Sequence, residues 1–242
     1  MQVIAIKTEL FREKDSLEEF IKKNISSLDE GSVIAVTSKV VALSEGRIGK
    51  VEDKEKIIVK ESKRVIKTPW AYLTLSKDGW GINAGIDESN AENKLVLLPK
   101  DSFKTADMLL KKLKRHYSVK NLGILITDTR SVPLRVGTLG RALGYAGFEP
   151  LKSYIGKKDL FGRKSRITQS NIVDALAVAS VMIMGEGNEQ IPMVIIKNAP
   201  VVFTLKSISE KQKQLAFPPE KDIFLKAFTS VEQKSHKFPK KK

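Results

Sequence analysis

The chain has 242 residues, 41% of them hydrophobic, enough to bury a substantial core as one large domain or two tightly joined lobes. Cysteine is absent, which excludes disulfides, thiolate metal sites and cysteine nucleophiles, so any metal would need oxygen or imidazole ligands. The formal net charge of +15 attracts phosphates, carboxylates or nucleic acid; no run approaches the roughly 18 to 20 apolar residues of a membrane span, and the charged N-terminus is unlike a signal peptide, so a cytoplasmic location without a membrane partner is expected.

Residues 3–6 (VIAI) and 32–38 (SVIAVTS) read as short buried strands, and SLEEFIKKNISSL between them has apolar residues at helical spacing. Residues 51–67 are charge-rich with scattered Val and Ile, compatible with a helix or an exposed strand. After KLVLLP, residues 101–117 predict a helix N-capped by Asp101 or Ser102, with Ala106, Leu109, Leu110 and Leu113 on its apolar face. His116 falls near its basic end and His236 in the basic tail 233–242; both read as structural or exposed, which argues against a histidine triad or zinc site. ILIT is an apolar strand ending at Asp128. Residues 129–166 are rich in Gly, Arg and Lys and poor in apolar runs. NIVDALAVASVMIMG then predicts a buried helix, capped by Ser170 or Asn171 and stopped by Gly185, and PMVIIK a further strand. This mixture predicts an α+β fold.

An acidic residue at the end of a buried strand, followed by glycines and arginines, is a layout suited to phosphates. Asp128 could ligate a hard cation while Arg130, Arg135 and Arg141 neutralise phosphate oxygens. Gly137, Gly140, Gly144 and Gly147 would let backbone approach a ligand, or else serve turns and close helix packing. In YIGKKDLFGRKSRITQSN, Lys157, Lys158, Arg163 and Arg166 suit an anionic ligand, and Asp159 is either a second metal carboxylate or a partner of its neighbouring lysines. The polar run NAGIDESN, with Asn83, Asp87, Ser89 and Asn90, is either a ligand clamp or a set of turns.

Taken in order, GSVIAVTSKVVALSEGR, NAGIDESN, VLLPKD, ITDTRSVPLRVGTLGRALGYAG, YIGKKDLFGRK and MGEGNEQIP resemble the coenzyme F420-0:γ-glutamyl ligase family, from about Gly31 to Ile196. The runs are still more similar to a branch described as folate-metabolism γ-glutamate ligases. The resemblance implies one catalytic unit over 1–242, of one or two lobes, forming an intertwined homodimer. It also implies an enzyme that uses GTP or ATP with Mg2+ or Mn2+ to phosphorylate a substrate carboxylate, which the amine of L-glutamate then attacks. Carried over by motif, Asp128 is catalytic and metal-binding, with Thr168 and Gln169 as the second metal segment; beside them the residue chemistry puts forward Asp159 as a second catalytic and metal-binding carboxylate and Arg135 as a catalytic cation. Ser38, Lys39 and Ser131 are nucleotide contacts. Asn83, Asp87, Ser89, Asn90, Lys158 and Arg163 are substrate contacts. Three departures matter: Gln169 offers only a neutral oxygen where relatives often have an acid, Leu43 replaces a lysine of the F420 enzymes, and SVPLR replaces their Gly-Arg-Pro-Trp-Arg-like run. The last points to a folate-type acceptor over an F420-0-type one. The alternative class is a basic nucleic-acid-binding protein that keeps the fold without catalysis, a reading disfavoured because Asp128 and Asp159 would repel a phosphate backbone.

Overall fold

In chain order the first half contains β1 (Gln2–Ile6), α1 (Leu17–Asn24), β2 (Ser32–Thr37), α2 (Ser38–Ser44), β3 (Ile48–Lys50), α3 (Lys54–Glu61), β4 (Arg64–Lys67), β5 (Tyr72–Ser76), β6 (Gly79–Ile82) and β7 (Lys94–Val96). The second half contains α4 (Ser102–Tyr117), β8 (Leu122–Ser131), β9 (Thr138–Ala146), β10 (Leu151–Ser153), β11 (Gln169–Asn171), α5 (Ile172–Met184) and β12 (Met193–Lys197). This computed structural model describes residues 1–206, 210, 214–215, 217 and 221–222, so His236 and the basic tail 233–242 lie outside the described residues.

The continuous apolar runs of β2 and β8 demand cover on both faces, and they lie in the middle of a five-stranded sheet ordered β1-β12-β2-β8-β9. β2 and β8 pair in parallel, whereas every other pairing in this sheet is antiparallel. On one face Ile34, Val36, Ile124 and Ile126 meet α1 and α4, with Leu17, Ile21, Ala106, Leu109, Leu110 and Leu113 all buried. On the other face Val33, Ala35, Leu125 and Val194 meet α5 through Val173, Leu176 and Ala177. The result is an α+β architecture with helices on both sides of a mixed sheet.

The helix starts follow the expected capping chemistry. Asp101 caps α4 by accepting from the Lys104 amide at 2.9 Å, and Asn171 caps α5 by accepting from the Asp174 amide at 3.0 Å. Asp101→Ala is expected to lower stability by about 1 kcal/mol, a Tm drop of roughly 2–4 °C; an unchanged Tm would show that the cap contributes nothing. Gly185 ends α5 with φ 77°, a conformation that favours glycine. Residues 51–67 contain both alternatives in succession: a short 3-10 turn and α3, then strand β4.

The largest difference from the sequence-based expectation lies in the glycine-rich stretch after Asp128. Much of it is strand, because β8 and β9 form a long hairpin. A Cβ on Gly140 would meet the Ala177 carbonyl carbon at 2.7 Å, and one on Gly144 would meet the Ser102 carbonyl carbon at 2.5 Å. These two glycines therefore admit helix backbones to the two faces of one strand, α5 on one side and α4 on the other. Close helix packing, not backbone contact with a ligand, is what requires them. Gly137 sits in the hairpin turn with φ 88°, and Gly147 turns the chain beside the Leu122 carbonyl.

A β-bulge falls within this hairpin: Ile126 pairs with Gly144 and Thr127 with Ala142, so Leu143 is the extra residue. The Ala142 amide donates to the Asp174 carboxylate of α5 at 2.8 Å, which holds the bulged strand to the helix. Beyond the main sheet, β3 and β7 form a ribbon and β4-β5-β6 a separate three-stranded sheet. A small core of Ile58, Ala84, Ile86, Leu95 and Leu97 packs between α3 and this part of the chain. Among the described residues, no helix is long and apolar enough to cross a membrane.

Candidate active site

The parallel pairing of β2 with β8 ends at Thr37 opposite Thr127; beyond it β2 turns into α2, while β8 continues to Ser131 paired with β9 alone. A crevice beyond the carboxyl ends of neighbouring parallel strands is where open sheets commonly bind ligands. Here it holds a cavity of about 340 Å3, lined by residues drawn from 8–11, 37–43, 85–98, 127–129 and 181–192.

The polar end is built around Asp128, whose side chain is 18% exposed. Ser38 Oγ donates to its Oδ1 at 3.1 Å, while Arg141 Nε and Nη2 donate to its Oδ2 at 3.3 and 3.1 Å. Burial pushes the Asp128 carboxyl above its ordinary pKa, and the Arg141 charge and the two donors work against that rise. Glu186, on the loop after α5, is also raised, by burial first and then by the negative charges of Asp128 and Asp87. Two acids that are costly to ionise together favour a cation between or beside them.

Lys39 Nζ pairs with Asp87 Oδ2 at 2.7 Å and donates to the Ser89 carbonyl at 2.7 Å and Ser89 Oγ at 3.1 Å. For Asp87 burial acts to raise the pKa, but the Lys39 and Ser89 hydrogen bonds outweigh it and hold the carboxyl below its usual value. Asn90 Nδ2 donates to the Gly187 carbonyl at 2.8 Å, joining the 83–93 loop to the 185–192 loop over the cavity. That first loop has positive φ at Asn83, Ala84, Asn90, Glu92 and Asn93, a concentration of strain typical of segments that must present side chains at fixed angles. The opposite wall is apolar, formed by Phe11, Val40, Leu43, Val96, Leu97 and Leu98.

The donors suit a hard divalent cation, because Asp128, Asp87 and Glu186 offer only oxygen. Among the described residues no three acids or imidazoles are placed to hold a metal by themselves. Mg2+ is usually held by one or two carboxylates, with substrate phosphates and water completing the shell.

The sequence profile described as F420-0:Gamma-glutamyl ligase matches residues 49–198. The chain belongs to this family. A Methanococcus maripaludis protein (strain S2) named coenzyme F420:L-glutamate ligase is 35% identical over 206 residues, covering 84% of this chain and 79% of the relative. Proteins of the same name from Methanosarcina mazei and Archaeoglobus fulgidus are 33% and 32% identical, covering 81% and 79% of this chain and 85% of each relative.

Within this family member, the structure gathers Ser38, Lys39, Asp87, Ser89, Asn90 and Asp128 around one cavity. It places the other expected residues elsewhere. Asn83, at the start of the loop, does not line the cavity and accepts from the Tyr72 amide at 3.0 Å, a structural bond. Ser131 and Arg135 are exposed toward the turn of the β8-β9 hairpin. Lys158, Asp159, Arg163, Thr168 and Gln169 are exposed on the β10-β11 arm, where Asp159 Oδ1 accepts from the Phe161 and Arg163 amides, both at 2.9 Å, and so shapes the arm's turn. Arg141 is buried in its pair with Asp128, not free for phosphate. Glu186 and Glu189 are cavity residues to which the sequence reading assigned no role. Their signal was present as two acids in the glycine-rich MGEGNEQ run directly after a buried helix.

Proposed function

We propose that this chain is a ligase that joins L-glutamate to a substrate carboxylate in a γ-glutamyl ligase reaction, using ATP or GTP with Mg2+ or Mn2+, with a folate-type acceptor favoured over an F420-0-type one. The observation that carries this reading is the two-ended cavity: an acidic pole on Asp128 beside Lys39, facing an apolar wall, in a member of this family. The acceptor carboxylate takes the terminal phosphoryl group of the nucleotide, giving an acyl phosphate and a nucleoside diphosphate. The glutamate amine then attacks the acyl carbon and releases phosphate. A divalent ion would be held by Asp128, with Glu186 and Asp87 adding to the negative field there, and would neutralise charge on the transferring phosphoryl. Lys39, released from Asp87, would supply a cation to the phosphate oxygens, and the wall of Val40, Leu43 and Leu98 would hold a flat ring.

Leu43 presents no charge to a nucleotide base, which supports use of both ATP and GTP. The exposed apolar side chains Leu134, Val136, Leu160, Phe161 and Ile167 crowd the two projecting hairpins. They support an intertwined homodimer in which these hairpins, with Arg135, Asp159, Thr168 and Gln169, pack on the partner. A nucleic-acid binder is not favoured, because an acidic cavity repels phosphate backbones in the absence of a metal.

The test is a mass-spectrometric screen with L-glutamate, ATP or GTP, Mg2+ or Mn2+, and tetrahydrofolate or F420-0. A mass increase of one glutamyl residue on tetrahydrofolate is expected, with either nucleotide. Glutamylation of F420-0 alone would overturn the folate assignment and keep the ligase; no product with any combination would overturn the ligase.

A further inference from the structure

Arg141 is the most buried cation beside the site among the described residues, 8% exposed, and its guanidinium donates three hydrogen bonds to two places that are distant in sequence. Nε and Nη2 hold Asp128 Oδ2, on the opposite oxygen from Ser38, and Nη1 donates to the Asp78 carbonyl at 3.1 Å. Asp78 lies in the turn of the β5-β6 hairpin, which belongs to the separate three-stranded sheet. The same turn is secured by Lys77, whose Nζ donates to the Pro99 carbonyl at 2.7 Å and to the Lys100 carbonyl. The bulge at Leu143 sits two residues from Arg141, and Asp174 fixes the strand between them, so the direction of the guanidinium is set by the backbone.

We propose that Arg141 is a positioning residue that ties Asp128 to the β5-β6 turn, so that the metal-binding carboxylate and the three-stranded sheet are held in one register. The proposal rests on the reading of Asp128 as a metal ligand. It assigns Arg141 a role different from phosphate binding: the rigid, planar fork aims two N–H groups at one carboxylate oxygen and a third, on another nitrogen, at a carbonyl, a fixed divergence that the single nitrogen of a flexible lysine does not reproduce. It also carries an electrostatic consequence. A resident positive charge behind Oδ2 repels any cation that approaches Asp128, so the residue trades metal affinity for a fixed carboxylate geometry.

The test uses the full chain with Mn2+ alone, followed by electron paramagnetic resonance titration, and hydrogen exchange of the amides at 76–79. Arg141→Met is expected to tighten Mn2+ binding about threefold or more, through loss of a like charge, while exchange at 76–79 accelerates about tenfold or more beyond any global change. Arg141→Lys, which keeps the charge and guards against misfolding of the apolar variant, should leave Mn2+ affinity near wild type yet still accelerate exchange in the turn. A purely structural residue would weaken Mn2+ binding in step with Tm, and that result would overturn the proposal. Unchanged exchange at 76–79 in both variants would do the same. If the wild type binds no Mn2+, the metal reading of Asp128 fails on its own account, and the tie between Asp128 and the turn is decided by the exchange arm.

Discussion

Asp128→Asn is expected to lower ligation by at least about a hundredfold, a transition-state loss on the order of 3 kcal/mol, because it replaces a charged oxygen ligand by a neutral amide at the acidic pole. From sequence the exchange reads as isosteric and harmless to the fold. The geometry adds a cost. Oδ1 accepts from Ser38 and Oδ2 from Arg141, so an asparagine can face only one of these donors with its oxygen. Arg141 then keeps its charge without an anionic partner in a setting where its side chain is 9% exposed. Stability should fall by about 1 to 3 kcal/mol, with Tm lower by roughly 2 to 12 °C. Activity must therefore be compared well below both melting temperatures, with circular dichroism confirming the native fold. Turnover near the wild-type rate across a range of Mg2+ and Mn2+ concentrations would remove Asp128 from the chemistry.

Gly144→Ala is expected to destabilise the protein by about 3 kcal/mol, a Tm drop of roughly 6–12 °C, although the added group is one methyl. The added Cβ would lie 2.5 Å from the Ser102 carbonyl carbon, 2.6 Å from its oxygen and 2.7 Å from the Phe103 amide nitrogen. These are backbone atoms at the first turn of α4, and no side-chain rotation relieves the contact. Either the helix start withdraws from β9, loosening the Leu109 and Leu110 packing, or the bulge beside Gly144 deforms and takes Arg141 with it. A Tm within 2 °C of wild type, on the scale of roughly 2–4 °C per kcal/mol, would show that α4 is free to move and that close approach is not what requires glycine here.

Periodicity by itself determined the elements that bury a continuous apolar stripe: α4 with Leu109, Leu110 and Leu113, α5 up to Gly185, and the paired central strands β2 and β8. Burial of those side chains is a local demand, readable from spacing, and the caps at Asp101 and Asn171 are local hydrogen bonds readable from residue type. The motif order similarly pointed to the family. β9 was not legible, because a strand whose buried positions include Gly140, Gly144 and Arg141 has no apolar alternation; its pattern records two helix backbones and one carboxylate that only the fold brings near. α2 was less legible, since the polar break Thr37-Ser38-Lys39 in SVIAVTSKVVALS is short and the Thr37 N-cap makes no side-chain hydrogen bond to the helix.

The site divides along the same line. That Asp128 follows directly on a buried apolar run is a property of the sequence, although the strand itself continues to Ser131. That Ser38, 90 residues earlier, bonds one of its oxygens follows from the parallel register of β2 and β8, which sets Thr37 against Thr127. Lys39 is committed to Asp87 and Ser89 because the strained 83–93 loop folds back to it. The charge of Arg141 is visible in the sequence, but its partner is not: electrostatic attraction acts through space, and only the pairing of β8 with β9 decides which acid a buried arginine will meet.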